Sequence, residues 1–233
     1  SIFINFTVDR TAPTVTLITA NNTNTTDTTP DISFNYTDNV LTSLSCSLYV
    51  DGATSVANTN GSTTNATITV INVSTLGQGG HYFYANCTDS SSNSGVSATH
   101  NLTVDSVAPN VYSIITPVSN ANLTSGMQVF NITVNDTTIG VHVVKFNITN
   151  VTTPAVYTAT NVGGQFWNVS VNLSTLVEAR HTVTVLANDT LNNLNNSIVF
   201  NFTVDRTAPT VTLVNSSFNT VTSLPSVTFN YTD

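Results

Sequence analysis

The chain has 233 residues and a formal net charge of −8, and only 7% of its residues are charged, against roughly 25% in an average soluble protein. With Lys and Arg numbering only four, the composition argues against a nucleic-acid partner and against contact with an anionic membrane surface. No apolar run approaches the ~20 residues of a membrane-spanning helix. Asn and Thr replace the missing charge, with 32 and 44 copies.

Apolar and polar residues alternate with a period of two along most of the chain. Phe130, Ile132 and Val134 fall on one face of such a stretch, with Asn and Thr on the other. This alternation is typical of half-buried antiparallel strands. About seven short strands per hundred residues, separated by turn signals, predict an immunoglobulin-like sandwich. In the first part of the chain the predicted strands lie near 13–19, 30–37, 43–50, 53–57, 64–73, 80–88 and 96–104.

One thirteen-residue stretch, 5–17, returns letter for letter at 201–213, with a variant at 101–111. A fixed spacing of about a hundred residues indicates tandem copies of one small domain. We therefore interpret the chain as a segment of a longer repeat protein. The predicted domains are the last strand of a preceding copy at 1–9, full copies at 10–105 and 106–205, and the first strands of a following copy at 206–233.

Adjacent copies are joined with almost no linker. Val104-Asp105-Ser106-Val107-Ala108-Pro109 leads from one predicted strand directly into the next copy. Proline fixes its own φ and biases the residue before it toward extended backbone, so a short joint of this kind predicts a semi-rigid connection. The predicted fold class is all-β: tandem antiparallel immunoglobulin-like β-sandwiches of about seven strands each, arranged as a rod.

Both cysteines fall in the first copy. Alignment of the copies places Cys46 opposite Val144 and Cys87 opposite Ala187. An even cysteine count in an extracellular-looking chain favours a disulfide. Small apolar residues at the matching positions of the second copy are what we expect if that copy replaces a core disulfide by apolar packing. Two buried free thiols are the alternative. The disulfide would join the third and sixth strands, whereas the antibody pattern joins the second and sixth.

The stretch 80–89, together with Asn93, Leu102-Thr103-Val104-Asp105 and Ala108-Pro109, resembles the tandem immunoglobulin-like repeats of large bacterial and archaeal surface proteins. The resemblance covers the whole chain. It implies an extracellular, cell-surface location and a structural role as a stalk, filament or S-layer-type protein. The Asn–Thr bias with very little Lys looks more archaeal than bacterial.

Some repeats of this resemblance bind Ca²⁺ at domain joints, where carboxylates and carbonyls supply a hard oxygen shell. No other cofactor is expected. The alternative for the recurring aspartates is turn formation, because Asp bonds its own backbone in turns. The candidate calcium ligands stand at predicted strand ends: Asp9, Asp38, Asp89, Asp105, Asp136, Asp189 and Asp205.

Asn-x-Ser/Thr sequons number twenty-one and predict dense N-glycosylation. In a strand whose middle sequon residue points inward, Asn and Thr point outward, so a glycan would not disturb the core. The alternative is a polar outer face in which sequons arise by chance. The candidate glycosylation sites are Asn5, Asn35, Asn65, Asn72, Asn86, Asn101, Asn122, Asn131, Asn147, Asn168, Asn172, Asn188, Asn201 and Asn230.

No catalytic motif is apparent, and we predict that the chain is not an enzyme. No Gly-x-Ser-x-Gly elbow occurs, and His81 and His181 recur without a second ligand at metal-binding spacing. The predicted partners are copies of the same repeat, end to end and laterally. Two alternatives stay open: adhesin repeats that hold a carbohydrate or protein ligand, with Tyr82 and Tyr84 as the candidate contacts, and a spacer of a large secreted enzyme.

Overall fold

The computed structural model describes residues 2–40, 43–64, 66–149, 155–214 and 228–232. Over these ranges the chain is built from 21 strands and a single 3-10 turn at Leu173–Thr175. The all-β class predicted from the alternation is confirmed. The described residues contain no helix with the length and apolarity needed to cross a membrane.

The first copy folds as two sheets. One sheet has the strand order β1-β3-β6, and the other has the order β2-β9-β7-β4-β5 with β8 paired to β7. The strands are β1 (Thr14–Leu17), β2 (Thr23–Thr25), β3 (Asp31–Thr37), β4 (Ser43–Val50), β5 (Ala53–Thr64), β6 (Thr69–Asn72), β7 (Gly79–Thr88), β8 (Ser94–Val96) and β9 (His100–Val104).

The core of this sandwich follows directly from the period-two pattern. Every second residue of β3 is fully buried, namely Ile32, Phe34 and Tyr36, and so are Phe83 and Ala85 of β7. All five belong to one buried apolar cluster drawn from both sheets. Each buried side chain of this size contributes roughly 1.5–3 kcal/mol relative to exposure, so the alternation is the main determinant of which face turns inward.

The structure pairs Cys46 with Cys87 in a disulfide. The two residues lie directly opposite each other on the neighbouring strands β4 and β7. The bond therefore links two strands of one sheet rather than the two sheets of the sandwich. Both cysteines are fully buried.

The second copy repeats this arrangement with strand orders β10-β12-β16-β15 and β11-β19-β17-β13-β14, and with β18 paired to β17. Its strands are β10 (Asn110–Thr116), β11 (Ala121–Leu123), β12 (Met127–Asn135), β13 (Val141–Thr149), β14 (Ala155–Thr158), β15 (Thr160–Gly163), β16 (Phe166–Asn172), β17 (Arg180–Asp189), β18 (Leu194–Asn195) and β19 (Val199–Val204).

An aromatic cluster fills the second core. The Phe130 ring meets the rings of Phe146 and Phe202 edge-on, with centroids 5.7 and 5.5 Å apart. Edge-on pairs match the positive ring edge to the negative ring face. Trp167 is 9% exposed, so this tryptophan packs in the core, as its alternation predicts.

The chain divides into two compact units that do not coincide with the predicted copies. The first takes residues 1–110, 135–142 and 187–195, and the second takes 111–134, 143–186 and 196–233. The ends of β12, β13 and β17 thus group with the first unit. The predicted domain bounds stay a prediction.

Two short strands were not predicted. β2 pairs in parallel with β9, from Thr23 opposite Leu102 to Thr25 opposite Val104, and β11 pairs in parallel with β19 in the same way. β2 consists of Thr-Asn-Thr and carries no apolar residue, so the alternation gives no signal there. The first strand of each copy therefore belongs to one sheet, and the second strand belongs to the other sheet.

Two short segments lie outside the two predicted full copies. β20 (Thr210–Leu213) pairs antiparallel with β21 (Phe229–Thr232), at positions where the sequence predicts the first strands of a following copy. Ile4 and Phe6, predicted to belong to a preceding copy, are 80% and 83% exposed.

Candidate metal centres

Six of the seven predicted calcium ligands gather into two clusters. Asp9, Asp38 and Asp89 form one, and Asp105, Asp136 and Asp189 form the other; within each cluster one carboxylate oxygen per residue lies within 4.8 Å of the others. All six residues belong to the first compact unit.

Strand geometry explains how residues so far apart in sequence meet. Asp105 follows β9, Asp136 follows β12 and Asp189 is the last residue of β17. The ends of these three strands bring the aspartates together, so the cluster depends on where three strands end rather than on one acid-rich loop. Asp9, Asp38 and Asp89 hold the equivalent positions one repeat earlier.

Asp105 is one of the two fully buried aspartates of the second cluster, together with Asp189. Its side chain is fully buried, and its Oδ1 accepts a hydrogen bond from the Val107 N–H at 3.1 Å. Its Oδ2 is buried and has no hydrogen-bond partner within the described residues. Burying an unpaired carboxylate oxygen is energetically unfavourable. The buried Asp105 Oδ2 therefore indicates that a positively charged partner belongs at this position.

The negative charges of neighbouring aspartates make burial of the ionised Asp105 carboxylate still less favourable. Burial raises the pKa of the Asp105 carboxyl above its ordinary value, and the negative charges of Asp136 and Asp189 raise it further. The Asp136 carboxylate is held by its own loop, where its Oδ1 accepts hydrogen bonds from the N–H groups of Thr138, Ile139 and Gly140 at 2.9, 3.2 and 3.3 Å.

Asn193, which stands at the position of Asn93 in the second copy, is a part of the site that the sequence did not predict. The Asn193 side-chain amide donates to Asp189 Oδ2 at 2.7 Å and to the backbone carbonyl of Asp105 at 2.9 Å. The backbone N–H groups of Leu191 and Asn193 donate to Asp189 Oδ1 at 2.8 and 3.0 Å. These bonds orient the Asp189 carboxylate.

The first cluster repeats these contacts. The Asn93 amide donates to Asp89 Oδ2 at 2.8 Å and to the carbonyl of Asp9 at 3.4 Å. Although burial raises the pKa of Asp89, hydrogen bonds from Asn93 and Ser91 outweigh burial and lower it below the ordinary value. The Asp-x-x-x-Asn spacing after the sixth predicted strand is the sequence signal that could have revealed this role.

The residues of both clusters fit a hard divalent cation. Ca²⁺ takes 6–8 oxygen ligands, many of them carboxylates and carbonyls. Asp105, Asp136 and Asp189 would hold the ion in the second cluster, and the ion would supply the positive charge that the buried Asp105 Oδ2 lacks.

Asp205, the seventh predicted ligand, does not enter a cluster in the described part of the chain. Its Oδ1 accepts the Thr207 N–H at 3.1 Å, and the Asp233 that aligns with Asp38 and Asp136 lies outside the described residues. Beside it a shallow cleft of about 460 Å³ is lined by Thr124, Ser125, Asp205, Arg206, Thr207, Ala208 and Pro209.

Glu178 accepts hydrogen bonds from two residues that follow β19. Its Oε1 accepts hydrogen bonds from the Thr207 hydroxyl at 2.6 Å and from the N–H groups of Arg206 and Thr207, both at 2.8 Å. The Thr207 hydroxyl contributes most to lowering the pKa of Glu178 to about 2. Gln78 and Ser106 make the matching contact in the first copy, so this glutamate has a structural role.

His81 and His181 also have structural contacts. His81 Nδ1 lies 2.7 Å from Asp51 Oδ2, and its Nε2 lies 2.9 Å from the Gly77 carbonyl. His181 is buried, with Nε2 at 2.9 Å from the Val177 carbonyl and its ring stacked on Phe202.

The predicted glycosylation sites are all outside the core wherever the structure describes them. Asn65 lies outside the described residues. Asn5, Asn72, Asn101, Asn122, Asn172 and Asn230 are exposed. Asn35, Asn86, Asn131, Asn147, Asn168, Asn188 and Asn201 are half-buried.

Comparison with known proteins supports the fold. A sequence profile described as "Bacterial Ig-like domain (group 3)" matches residues 165–233. The I-band fragment I67–I69 of titin is similar over 97% of this chain and 77% of its own, with 8% identity and a TM-score of 0.51. The chain is thus an immunoglobulin-like β-sandwich protein. A comparison with curated protein sequences finds no match.

Two further solved structures are also similar, with lower scores. The fibronectin(III)-like modules of Clostridium thermocellum CbhA are 17% identical over 82% of this chain and 94% of theirs, with a TM-score of 0.42. A tetra-tandem repeat in the extending region of a large adhesion protein is 21% identical over 88% of this chain, with a TM-score of 0.40. The chain spans 52% of that repeat and 21% of a similar engineered protein.

Proposed function

We propose that the chain is a structural repeat segment of an extracellular, N-glycosylated cell-surface filament or stalk, in which a calcium ion fixes the turn that begins each copy. The observation that carries this proposal is the recurrence of the three-aspartate cluster with its asparagine. In both clusters an aspartate that precedes a copy, Asp9 or Asp105, lies close to the two aspartates at the same strand ends of that copy. Because this cluster recurs once in each copy, it suits a structural role in the repeated domains rather than a role in one catalytic reaction.

A non-catalytic role agrees with the chemistry of the residues. Glu178, Asp136 and Asp189 each accept hydrogen bonds from backbone N–H groups. The disulfide and the two aromatic-rich cores make stable modules rather than a reactive cleft. Among the described residues, the candidate sequon asparagines are exposed or half-buried, and glycans there would cover strands that carry few charged residues against edge-to-edge pairing.

The calcium part is tested by thermal unfolding of the purified chain with CaCl₂ and with EDTA. An ion that binds only the folded state stabilises it by about 2.7 kcal/mol at a hundredfold excess over the dissociation constant. Asp136→Asn should reduce this gain, whereas Asp27→Asn, which alters an exposed aspartate whose Oδ1 accepts the Thr29 N–H, should keep it. Equal unfolding temperatures in CaCl₂ and EDTA would remove the cation from the proposal.

The assembly part is tested by electron cryo-microscopy of material shed from the native cell surface. Continuous threads with an axial repeat set by the copies, and with extra density on asparagine side chains, are the expected result. Isolated strings with bare asparagines and a separate terminal head would instead assign the activity of the whole protein to that head.

A further inference from the structure

The outer face of strand β7 in the first copy carries two tyrosines beside a sequon asparagine. Its outward residues are Tyr82, Tyr84, Asn86 and Thr88. On the neighbouring β4, Tyr49 lies opposite Tyr84 and Ser47 lies opposite Asn86. Asn86 thus lies next to the Tyr49–Tyr84 pair, and the small residue Ser47 lies opposite it on β4.

The two tyrosines form a defined surface. The rings of Tyr49 and Tyr84 are parallel within 5° and their centroids are 4.9 Å apart. Both residues are half-buried, so part of each ring faces solvent. Val96, which lies opposite Asn86 on β8, is 59% exposed. Asn86 is therefore a polar group bordered by exposed apolar carbon.

Asn86 has the geometry of an acceptor for a sugar. It begins the sequon Asn86-Cys87-Thr88, and the inward residue Cys87 is held in the core. Its Oδ1 accepts a hydrogen bond from the Ser94 hydroxyl at 2.7 Å, which orients the carboxamide. Its Nδ2 makes no hydrogen bond within the described residues, so the nitrogen that carries an N-glycan is unengaged.

In the second copy, the asparagine and the apolar residues that border it are replaced together. Leu186 replaces Asn86 there, so the sequon is lost, and Thr184 replaces Tyr84. The other two border positions, Tyr49 and Val96, become Asn147 and Asn196. Exposed tyrosines with only a structural role would not need to disappear with the sequon.

From this juxtaposition we infer that Asn86 carries an N-glycan whose first sugar packs against the Tyr49–Tyr84 pair. Residues two apart on one strand face lie about 6.6 Å apart, so a sugar on Nδ2 is within reach of the Tyr84 ring. Aromatic rings offer large apolar contact area, and the C–H faces of a pyranose match it. The inference rests on the proposed glycoprotein function and specifies one of its sites.

The modification is a glycosyl transfer from a lipid-linked phospho-oligosaccharide. A bond forms between Asn86 Nδ2 and the anomeric carbon of the sugar, and the bond from that carbon to the phosphate oxygen breaks. The lipid phosphate leaves with the bonding electrons, and Nδ2 loses one proton. No oxidant or reductant is required.

The first test is glycopeptide mass spectrometry of the protein from its native cells, after reduction of the disulfide. Glycan on the peptide that contains Asn86 is the expected result. If other sequons are occupied and Asn86 is bare, the inference is wrong and the glycoprotein proposal stands. If no sequon is occupied, both are wrong.

The second test measures the sugar–tyrosine contact in the full chain made in a glycosylating host. Enzymatic removal of the glycans from the unsubstituted protein should lower its melting temperature by about 2–4 °C more than the same treatment lowers that of Tyr84→Thr. Thr is the residue of the second copy at this position, so the variant should fold. Asn122→Gln, which removes an exposed sequon, should leave this difference unchanged. Equal losses in the two proteins would overturn the packing.

Discussion

The side-chain amide of Asn193 donates a hydrogen bond to the backbone carbonyl of Asp105 at 2.9 Å, across 88 residues of sequence. The same nitrogen donates to the Asp189 carboxylate at 2.7 Å. One amide thus fixes both the chain that leaves β9 and the carboxylate that ends β17. Asn93 makes the equivalent pair of bonds to Asp9 and Asp89.

Asn193→Ala should lower the free energy of unfolding by about 1–3 kcal/mol, because it leaves buried acceptors unpaired. Urea unfolding followed by fluorescence measures this change. Asn110→Ala alters an exposed asparagine of β10 and should change stability by no more than about 0.5 kcal/mol. If the two variants were equally stable, Asn193 would have no positioning role.

Asp105→Asn should have opposite effects with and without calcium. In EDTA the wild-type carboxyl has a pKa raised above 3.8 in the folded state, so the folded state binds protons more tightly than the unfolded state. Its unfolding free energy should therefore fall as pH rises through the range just above 3.8. The substitution removes this penalty and should stabilise the calcium-free protein at pH 7.

In CaCl₂ the same variant should lose most of the calcium-dependent gain, because the buried ligand oxygen is gone. Thermal unfolding of both proteins in both buffers gives the four values needed. Destabilisation in EDTA would show that Asp105 has another partner and would contradict the charge-repulsion argument.

His81 should make stability depend on pH near neutrality. Burial lowers its pKa, but the Asp51 carboxylate and the Gly77 carbonyl outweigh burial and raise the pKa above 6.5. A raised folded-state pKa means that protonated His81 stabilises the fold below pH 6.5, and that this contribution fades as pH rises through the folded-state value.

NMR titration of the His81 ring measures its pKa directly. Asp51→Asn should lower that pKa and flatten the stability profile between about pH 6 and 8. Asp27→Asn, with no histidine contact among its hydrogen bonds, should leave the titration unchanged. A His81 pKa below 6.5 in the wild type would contradict the prediction.

The disulfide can be tested with the residues of the second copy. Cys46→Val with Cys87→Ala reproduces Val144 and Ala187, which are both fully buried. Because the bond closes a loop with a sequence separation of 41, its loss should cost about 4 kcal/mol by the chain-entropy estimate. The variant should still fold, with a lower urea midpoint. An unchanged midpoint would show that packing alone holds β4 against β7.

Much of the fold was predictable because burial follows a period of two. Phe130, Ile132 and Val134 were placed on one face by alternation, and they are 0%, 0% and 1% exposed. Their positions depend only on near neighbours in sequence. β2 was not predictable in this way, because its three polar residues are held by backbone pairing with β9.

The candidate site was predictable in its ligands but not in its geometry. Recurrence at a fixed period identified Asp105, Asp136 and Asp189, which the strand ends bring together. The bond from Asn193 to Asp105 joins residues that no local pattern relates, and the partners of Glu178, in Arg206 and Thr207, are 28 and 29 residues away. Contacts of this kind depend on the closed sandwich.

The parallel pairing of β2 with β9 determines how the first copy would carry tension. β2 lies near the start of the copy and β9 at its end, and the two strands run in the same direction from Thr23 and Leu102 to Thr25 and Val104. A pull on both ends of the copy therefore slides one strand along the other and loads the hydrogen bonds between them together. Antiparallel β1 and β3 would instead be peeled apart one bond at a time. Thr23, Asn24 and Thr25 should therefore be the residues whose backbone hydrogen bonds resist mechanical unfolding of the copy.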